Sequence, residues 1–511
     1  MLRIILIYFF LVGYISGYSQ SKQDYVWVFG QAFNSSGGVF GSELDFNEPP
    51  MEVKNRFLEF GLGKANASIC DKEGNFLFYM NGCAVVNKNF EMMINGDSLG
   101  YDMWWDVLNQ ECTLGIGSFQ DHLILKDPGE DNIYYILHKP ALFNGFEATF
   151  DSIQIWFSKV DMSLEDGKGE VIVKNEVLDK SRIFLTSYLT AINHTNGEDW
   201  WVIQAPSRDS IFHTYKIDDT GIRLELIQES LHYFTSGRSS ASGTAKFSPD
   251  GTKYAFYNYY DQLHLYDFDR NTGLLSNHQQ IFAIPDPDHF EIVFSSLEWS
   301  PNSRFIYAAS RDWLYQLDLW EDDIQNDGIR LIDTYNGTLD PFITSFFLMA
   351  QAPDCKIYMS PTNGSYSFHV INKPNELGTA CDFVQNGLKL QYPSNGGGLP
   401  NFPRFRVDEE DKCDPTLTSV FGDAVYYRRD LTVYPSPSDG RYTIEVPDGF
   451  RSGTLSVLNL DGQVVESKVI TNGTISVALD ITRYPSGYYH VELYPEENMD
   501  RVFWSRQVVK E

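Results

Sequence analysis

The chain has 511 residues, too many for one ordinary core, so two domains or one large repeat array are expected. Apolar residues make up 43%, charged residues 21% and aromatic residues 15%, a globular composition and not that of a disordered chain. Lys+Arg 39 against Asp+Glu 69 gives a formal charge of −30, which repels phosphate backbones and anionic lipid and so argues against a nucleic-acid partner.

The N-terminus, MLRIILIYFFLVGYISGYSQ, carries one cation at Arg3 and an apolar run from Ile4 to Ile15. That run is shorter than the roughly 20 residues of a spanning helix, and Gly17 and Ser19 are small residues before a cut at Gln20. Residues 1–19 therefore read as a cleaved signal peptide. No later stretch is long and apolar enough to form a transmembrane segment in the mature chain.

From residue 25 to 408 a turn motif recurs. DKEGN begins at Asp71, DPGEDN at Asp127, NHTNGED at Asn193, SPDGTK at Ser248, SPNSR at Ser300 and APDCK at Ala352. A short aromatic or alternating run follows each turn: FLFYM, IYYILH, WWVIQA, KYAFY, FIYAAS and KIYMS. Such runs, bounded by Gly, Pro, Asn and Asp, are strands joined by turns. Units of 40–60 residues with several strands apiece predict propeller blades, because one small sheet cannot bury both faces unless others stack on it in a ring. The expected fold is all-β, with about seven four-stranded blades over residues 25–408. Six or eight blades fit the spacing nearly as well. The ring is expected to close by pairing YVWVFG (25–30) with strands near GLPNFPRFRV (398–407).

FSPDGTKYAFY (247–257) resembles the repeat of TolB-like propellers and their WD-repeat relatives. A longer resemblance, carried by NGC, MINGD, YYILHK, GKGEVIVKNEVL, LTAINHTNGEDWWV, YDFDRNTGLLSN, VINKPNELGTAC and GLPNFP in this order, is to exported bacterial propeller proteins. It implies the fold and brings no catalytic residue with it.

Six cysteines in an exported chain permit disulfides, and the expected pairs are Cys83 with Cys112 and Cys355 with Cys381. Chemistry-bearing motifs are few. Neither an H-E-x-x-H, a G-x-S-x-G nor a Walker loop occurs, and FGLGKANAS (60–68) has neither the spacing nor the hydroxyl after Lys64 that a phosphate loop needs. DFDRNTG (267–273) fails as a calcium loop, since Thr272 and His278 stand where Gly and Glu belong, and it reads as a blade turn. PDPDHFE (285–291) offers acid and histidine in one loop without a second ligand set. No metal site, cofactor or catalytic residue is expected. The tryptophan pairs Trp104–Trp105 and Trp200–Trp201 are the candidate ligand platform: neighbours on a strand point to opposite faces, so one of each pair could be exposed for a sugar ring or protein hot spot.

After a linker at 409–430 the texture changes. Tyr442, Ile444 and Val446 alternate to one face, as do Tyr489, Val491 and Leu493, which predicts a small Ig-like β-sandwich over 431–511. This module resembles the type A C-terminal sorting domain of the type IX secretion system. The match rests on Tyr434-Pro435-Ser436-Pro437, Ser438-Asp439-Gly440, Leu460-Asp461-Gly462, Leu479-Asp480, Ser486-Gly487-Tyr488-Tyr489 and the closing Val508-Val509-Lys510. Ser436 replaces the usual asparagine. The resemblance implies recognition by the type IX machinery, export through the periplasm, and release or attachment at the cell surface.

The function expected is that of a secreted or surface non-catalytic binding protein with an unknown glycan or protein ligand. Two alternatives stay open: a carbohydrate-active lyase or hydrolase with acids scattered over blades, and a scaffold in an adhesion or motility assembly.

Overall fold

The computed structural model describes residues 21–33, 39–58, 60–64, 66–100, 120–139, 153–184, 187–205, 210–230, 243–282, 294–392, 398–407, 413, 427–447, 450–459, 464–495 and 502–510. Two compact units divide the chain, residues 1–409 and 410–511.

Among the described residues the first unit contains seven antiparallel sheets in chain order. Blades 1 and 2 show three strands each among the described residues: Val26–Phe33, Val39–Asp45 and Glu52–Leu58, then Ala67–Cys70, Phe76–Met80 and Val85–Asn87. Blades 3 to 7 are four-stranded, their innermost strands being His122–Lys126, Leu189–Asn193, Thr244–Phe247, Ser295–Trp299 and Phe346–Gln351. The recurring turn has one repeated geometry. Ser248 Oγ donates to Asp250 Oδ1 (2.6 Å) and accepts from Lys253 N (2.9 Å), while Ser300 Oγ donates to Asn302 Oδ1 (2.7 Å) and accepts from Phe305 N (2.8 Å). A serine followed two residues later by Asp or Asn closes the turn through side chains and launches the next strand, which explains the periodicity.

Both faces of each blade are buried by neighbours, so inner strands read as near-continuous apolar runs such as FIYAAS, buried throughout. The cores form a closed cycle. Val28, Leu62 and Tyr79 join blades 1 and 2, and Phe78, Tyr134, Val202 and Tyr215 continue through blades 3 and 4. Tyr254 and Phe256 pack on Phe212, Leu265 on Leu297, and Tyr307 on Met359. Trp27, Phe29 and Leu44 of blade 1 then meet Phe347, Tyr358 and Phe368 of blade 7, which completes the ring.

Closure differs from strand pairing. Blade 1's first strand pairs with Val39–Asp45, and it runs against the innermost strand of blade 2, with Leu62 N donating to Gly30 O and Cys70 N to Gln23 O. Residues 398–407 take the innermost position beside it without a ladder. Phe402 lies 6.0 Å from Trp27, and Arg406 ion-pairs with Asp24. Pro400 and Pro403 have no N–H to donate, so side chains replace the ladder.

The disulfide expectation needs one correction. Cys355 is disulfide-bonded, as are Cys83 and Cys413, but Cys381 is a free buried thiol. Cys381 ends a 3-10 turn with its sulfur against the Tyr307 hydroxyl, inside the core between blades 6 and 7. Cys112, expected opposite Cys83, lies outside the described residues, and Cys70 is also free.

The second unit is a sandwich of a five-stranded and a three-stranded sheet around Tyr442, Ile444, Leu455, Tyr489, Val491 and Leu493. Its larger sheet recruits Tyr427–Asp430, paired in parallel with Val502–Ser505, so the module's sheet begins four residues before the boundary read at 431.

Candidate functional site at the channel mouth

Residues 398–407 occupy the axis of the ring. Asn401 N donates to Asn66 O (2.9 Å), and its Nδ2 donates to His122 O (2.9 Å) and Leu189 O (3.1 Å). These acceptors lie at the N-terminal ends of the innermost strands of blades 2, 3 and 4. Asn66 Nδ2 in turn reaches Val28 O (2.7 Å) and Gly398 O (3.0 Å). Three residues on, Arg404 donates to Phe247 O (3.0 Å) and Gln351 Oε1 (2.7 Å) and ion-pairs with Glu298 (3.3 Å), at the opposite ends of the strands of blades 5, 7 and 6. The segment thus runs down the channel parallel to the inner strands, as its bridge to Ile192 requires, and touches all seven blades.

Glu298 anchors the lower end. It is buried, ion-paired to Lys246 (3.2 Å) and Arg404, and accepts from the backbone N–H groups of Trp299 (2.9 Å) and Gln351 (3.1 Å). Burial alone would raise its pKa, but the two cations and two N–H donors hold it below the usual glutamate range. This cluster is a structural fastener with its hydrogen-bond capacity taken up.

The upper end is chemically different. Gln120 bridges across the mouth to blade 5, Nε2 donating to Ala245 O (2.6 Å) and Oε1 accepting from Ala245 N (2.8 Å). Asp121 is tied to Lys139 (2.9 Å) and to Ser187 N (2.5 Å), and Lys139 Nζ also donates to Ser187 O (2.7 Å). His122 and His138, cross-strand partners, are fully buried, and burial pushes both down to about 3, so both rings are neutral. Both ring nitrogens of His122 and Nδ1 of His138 lack a hydrogen-bond partner.

Lys64 stands apart. It lies in the connection entering blade 2, two residues before Asn66, yet its Nζ is 4.7 Å from the ring of Phe294, which immediately precedes the innermost strand of blade 6. These blades are not neighbours, so the lysine leans over the channel mouth. It is half-buried, desolvation lowers its pKa, and among the described residues it has no carboxylate partner. Lys54, Lys126, Lys139, Lys159, Lys174, Lys216, Lys246 and Lys253 all do, whereas Lys22, 5.2 Å from the Tyr25 ring, shares the arrangement of Lys64 away from the mouth.

Trp200 and Trp201 present no exposed face. Trp200 and Trp201 are 4% and 3% exposed, and strand alternation sends them into two different interblade cores. Each indole N–H is satisfied, Trp200 by Lys126 O (3.0 Å) and Trp201 by Arg270 O (2.8 Å). In a propeller both sheet faces are interior, so opposite pointing buries both. Trp104, Trp105 and the loop 285–291 lie outside the described residues. Trp201→Ala is expected to cost about 3–5 kcal/mol of propeller stability, read by urea unfolding, without altering ligand retention. DFDRNTG is a turn as expected, with Asp269 accepting from Asn271 N (2.9 Å) and Thr272 Oγ1 (2.8 Å). The missed residues are Lys64, Gln120, Asp121, His122, Lys139, Asn401 and Arg404. Their only sequence signal is position: at or just before the start of an inner strand, directly after the second strand of blade 3 for Lys139, or within the proline-interrupted GLPNFPRFRV.

In the tail, several sorting-motif residues converge on Lys510. Its Nζ donates to Thr482 O (3.0 Å) and to Tyr484 O, while Ser438 N donates to Val509 O (3.0 Å). Lys510 pairs in register with Gly487, and Tyr489 Oη donates to Pro485 O (2.7 Å). Gly440 has φ +104°, and a Cβ there would stand 2.8 Å from Lys510 Cε and 3.0 Å from the Thr482 backbone. Pro435 and Pro437 each follow a cis peptide bond, Tyr434 stays 47% exposed, and Gly462 lies outside the described residues. Gly440→Ala is expected to destabilise the module by about 1–3 kcal/mol and to reduce export, measured as the secreted fraction.

Fold and tail together define an exported β-propeller protein. Residues 432–505 match the family described as the secretion system C-terminal sorting domain, so the tail is the element recognised by the type IX secretion system and the chain is directed to the cell surface or the medium. No helix among the described residues is long and apolar enough to cross a membrane. No curated protein matches the chain. Among solved structures, it is similar to a protein from Lactobacillus plantarum (14% identity, 73% of this chain and 97% of that one, TM-score 0.41). It is also similar to a periplasmic gluconolactonase of Pseudomonas aeruginosa (11%, 72% and 97%, TM-score 0.41) and a putative 6-phosphogluconolactonase of Bacteroides fragilis (12%, 72% and 96%, TM-score 0.41). Likeness at this level carries no argument about reaction or ligand.

Proposed function

We propose that the chain is a secreted or surface-attached binding protein, made with a cleaved leader over residues 1–19, whose propeller engages its ligand at the mouth formed by the N-terminal ends of the inner strands. The observation that carries this reading is the axial segment. It fills the channel and fastens its lower end through Glu298 and Arg404, while Lys64 overhangs the upper end without a carboxylate partner. A propeller with a filled channel cannot pass or enclose a ligand, so recognition falls to a mouth. The described residues favour binding over turnover. Asp121 is neutralised by Lys139 rather than poised opposite a second acid, and His122 and His138 are sealed from solvent.

The test is the full secreted chain on a broad glycan array and in a pull-down of outer-envelope proteins, with a parallel assay for glycan breakdown. Retention without breakdown products is expected. Released sugars would replace the reading with a carbohydrate-active enzyme. A stable stoichiometric assembly without saturable ligand binding would favour a scaffold.

A further inference from the structure

We propose that Lys64 is the anchor of a binding site for a small monoanionic ligand, its carboxylate meeting the ammonium over the Phe294 ring at the channel mouth. This rests on the reading of the mouth as the binding face and adds the ligand's chemistry. Three observations converge on it. Lys64 reaches from the entry of blade 2 to that of blade 6, and among the described residues its ammonium meets a ring and no carboxylate. A cation taken partly out of water and given only a ring loses hydration that a cation–π contact does not fully restore. The chain carries 30 excess negative charges, yet none among the described residues is placed against this ammonium. The arrangement is therefore a desolvated charge awaiting an external counter-ion, and burial lowers its pKa with no opposing carboxylate.

The same charges select the ligand's size and valence. A polyanion such as an extended acidic glycan meets the repulsion of the whole body, and a phosphate monoester brings nearly two charges and three acceptor oxygens to one ammonium. A single carboxylate matches one ammonium, and the half-buried Phe294 ring, backed at 4.9 Å by the buried Phe347, gives an apolar contact for the rest of a small molecule.

The experiment uses the full chain and its Lys64→Met variant, titrated calorimetrically and by thermal shift with acetate, glucuronate, a galacturonate trimer, inorganic phosphate and sulfate at constant ionic strength. The expected result is saturable binding of glucuronate to the parent, weakened at least tenfold in Lys64→Met, with the trimer, phosphate and sulfate binding more weakly. Without ligand, Lys64→Met is expected to melt at a temperature equal to or above the parent's, since it removes a desolvated charge. Equal carboxylate binding by both proteins, no carboxylate binding by either, or tighter binding of phosphate or the trimer would each overturn the proposal. A neutral glycan or protein retained equally by parent and variant would overturn it while leaving the binding reading intact. A Lys64→Met protein that melts well below the parent would show a structural lysine; Lys64→Arg, which keeps the cation, then separates charge from packing by retaining or losing glucuronate.

Discussion

Between pH 6.5 and pH 4.5 the propeller is expected to lose on the order of 5 kcal/mol of stability, with three buried histidines responsible. Burial pushes His122 and His138 down to about 3 and His369 down to about 4. His369 is held neutral beside Phe346 and Phe383, its Nε2 against Thr344 O (2.8 Å). The unfolded chain takes up a proton at each ring near pH 6.5, whereas the folded chain refuses it until pH 3–4. Unfolding therefore binds protons across this window, and stability falls as pH falls, each histidine's slope rising from half to nearly all of the limiting value of about 1.4 kcal/mol per pH unit. Below about pH 4.5 Glu298 adds a loss of the same sign, because its folded pKa lies under its unfolded one. Urea unfolding of the secreted chain at pH 6.5, 5.5 and 4.5 measures the slope. A flat profile would mean that water or a counter-ion reaches the rings. A His122→Asn/His138→Gln variant that still folds is expected to lose about two thirds of the slope between pH 6.5 and pH 4.5.

Removal of residues 398–407 is expected to abolish the folded ring. The segment buries Leu399 and Phe405, packs Phe402 on Trp27 and caps backbone carbonyls on three blades through Asn401. Apolar burial of about 1.5–3 kcal/mol for each of three large side chains already rivals the 5–15 kcal/mol stability of a typical domain. The finer test is Arg404→Met. It leaves Glu298 buried against Lys246 alone and is expected to cost about 3–5 kcal/mol, while adding Glu298→Gln in the same chain restores part of that loss. A chain lacking 398–407 that keeps the parent's melting temperature would show that the interblade cores alone hold the ring.

Much of the fold was legible because blades repeat. SPDGTK and SPNSR place the same hydrogen bonds at the same point of two blades, so turn chemistry alone gave strand order and an approximate blade count. The tail was legible for a similar reason, Tyr442, Ile444, Tyr489 and Val491 alternating cleanly into one core. Ring closure was half legible. YVWVFG and GLPNFPRFRV do lie side by side, but two prolines exchange a ladder for rings and an ion pair. The site was not legible, because it is assembled from residues of several blades. Lys64, Gln120 and Asn401 lie far apart in sequence and meet only through ring geometry, and no spacing rule joins them. Trp200 and Trp201 misled for a complementary reason: alternation implies an exposed face only where a sheet has one, and their blade is covered on both.

Hydrogen exchange of the full secreted chain with and without a ligand it retains tests the central claim most directly. The account predicts protection at residues 60–64, 120–122 and 294–296, around the upper mouth. Protection confined to the turns at 248–252 and 300–304, or to the outer strands, would contradict it.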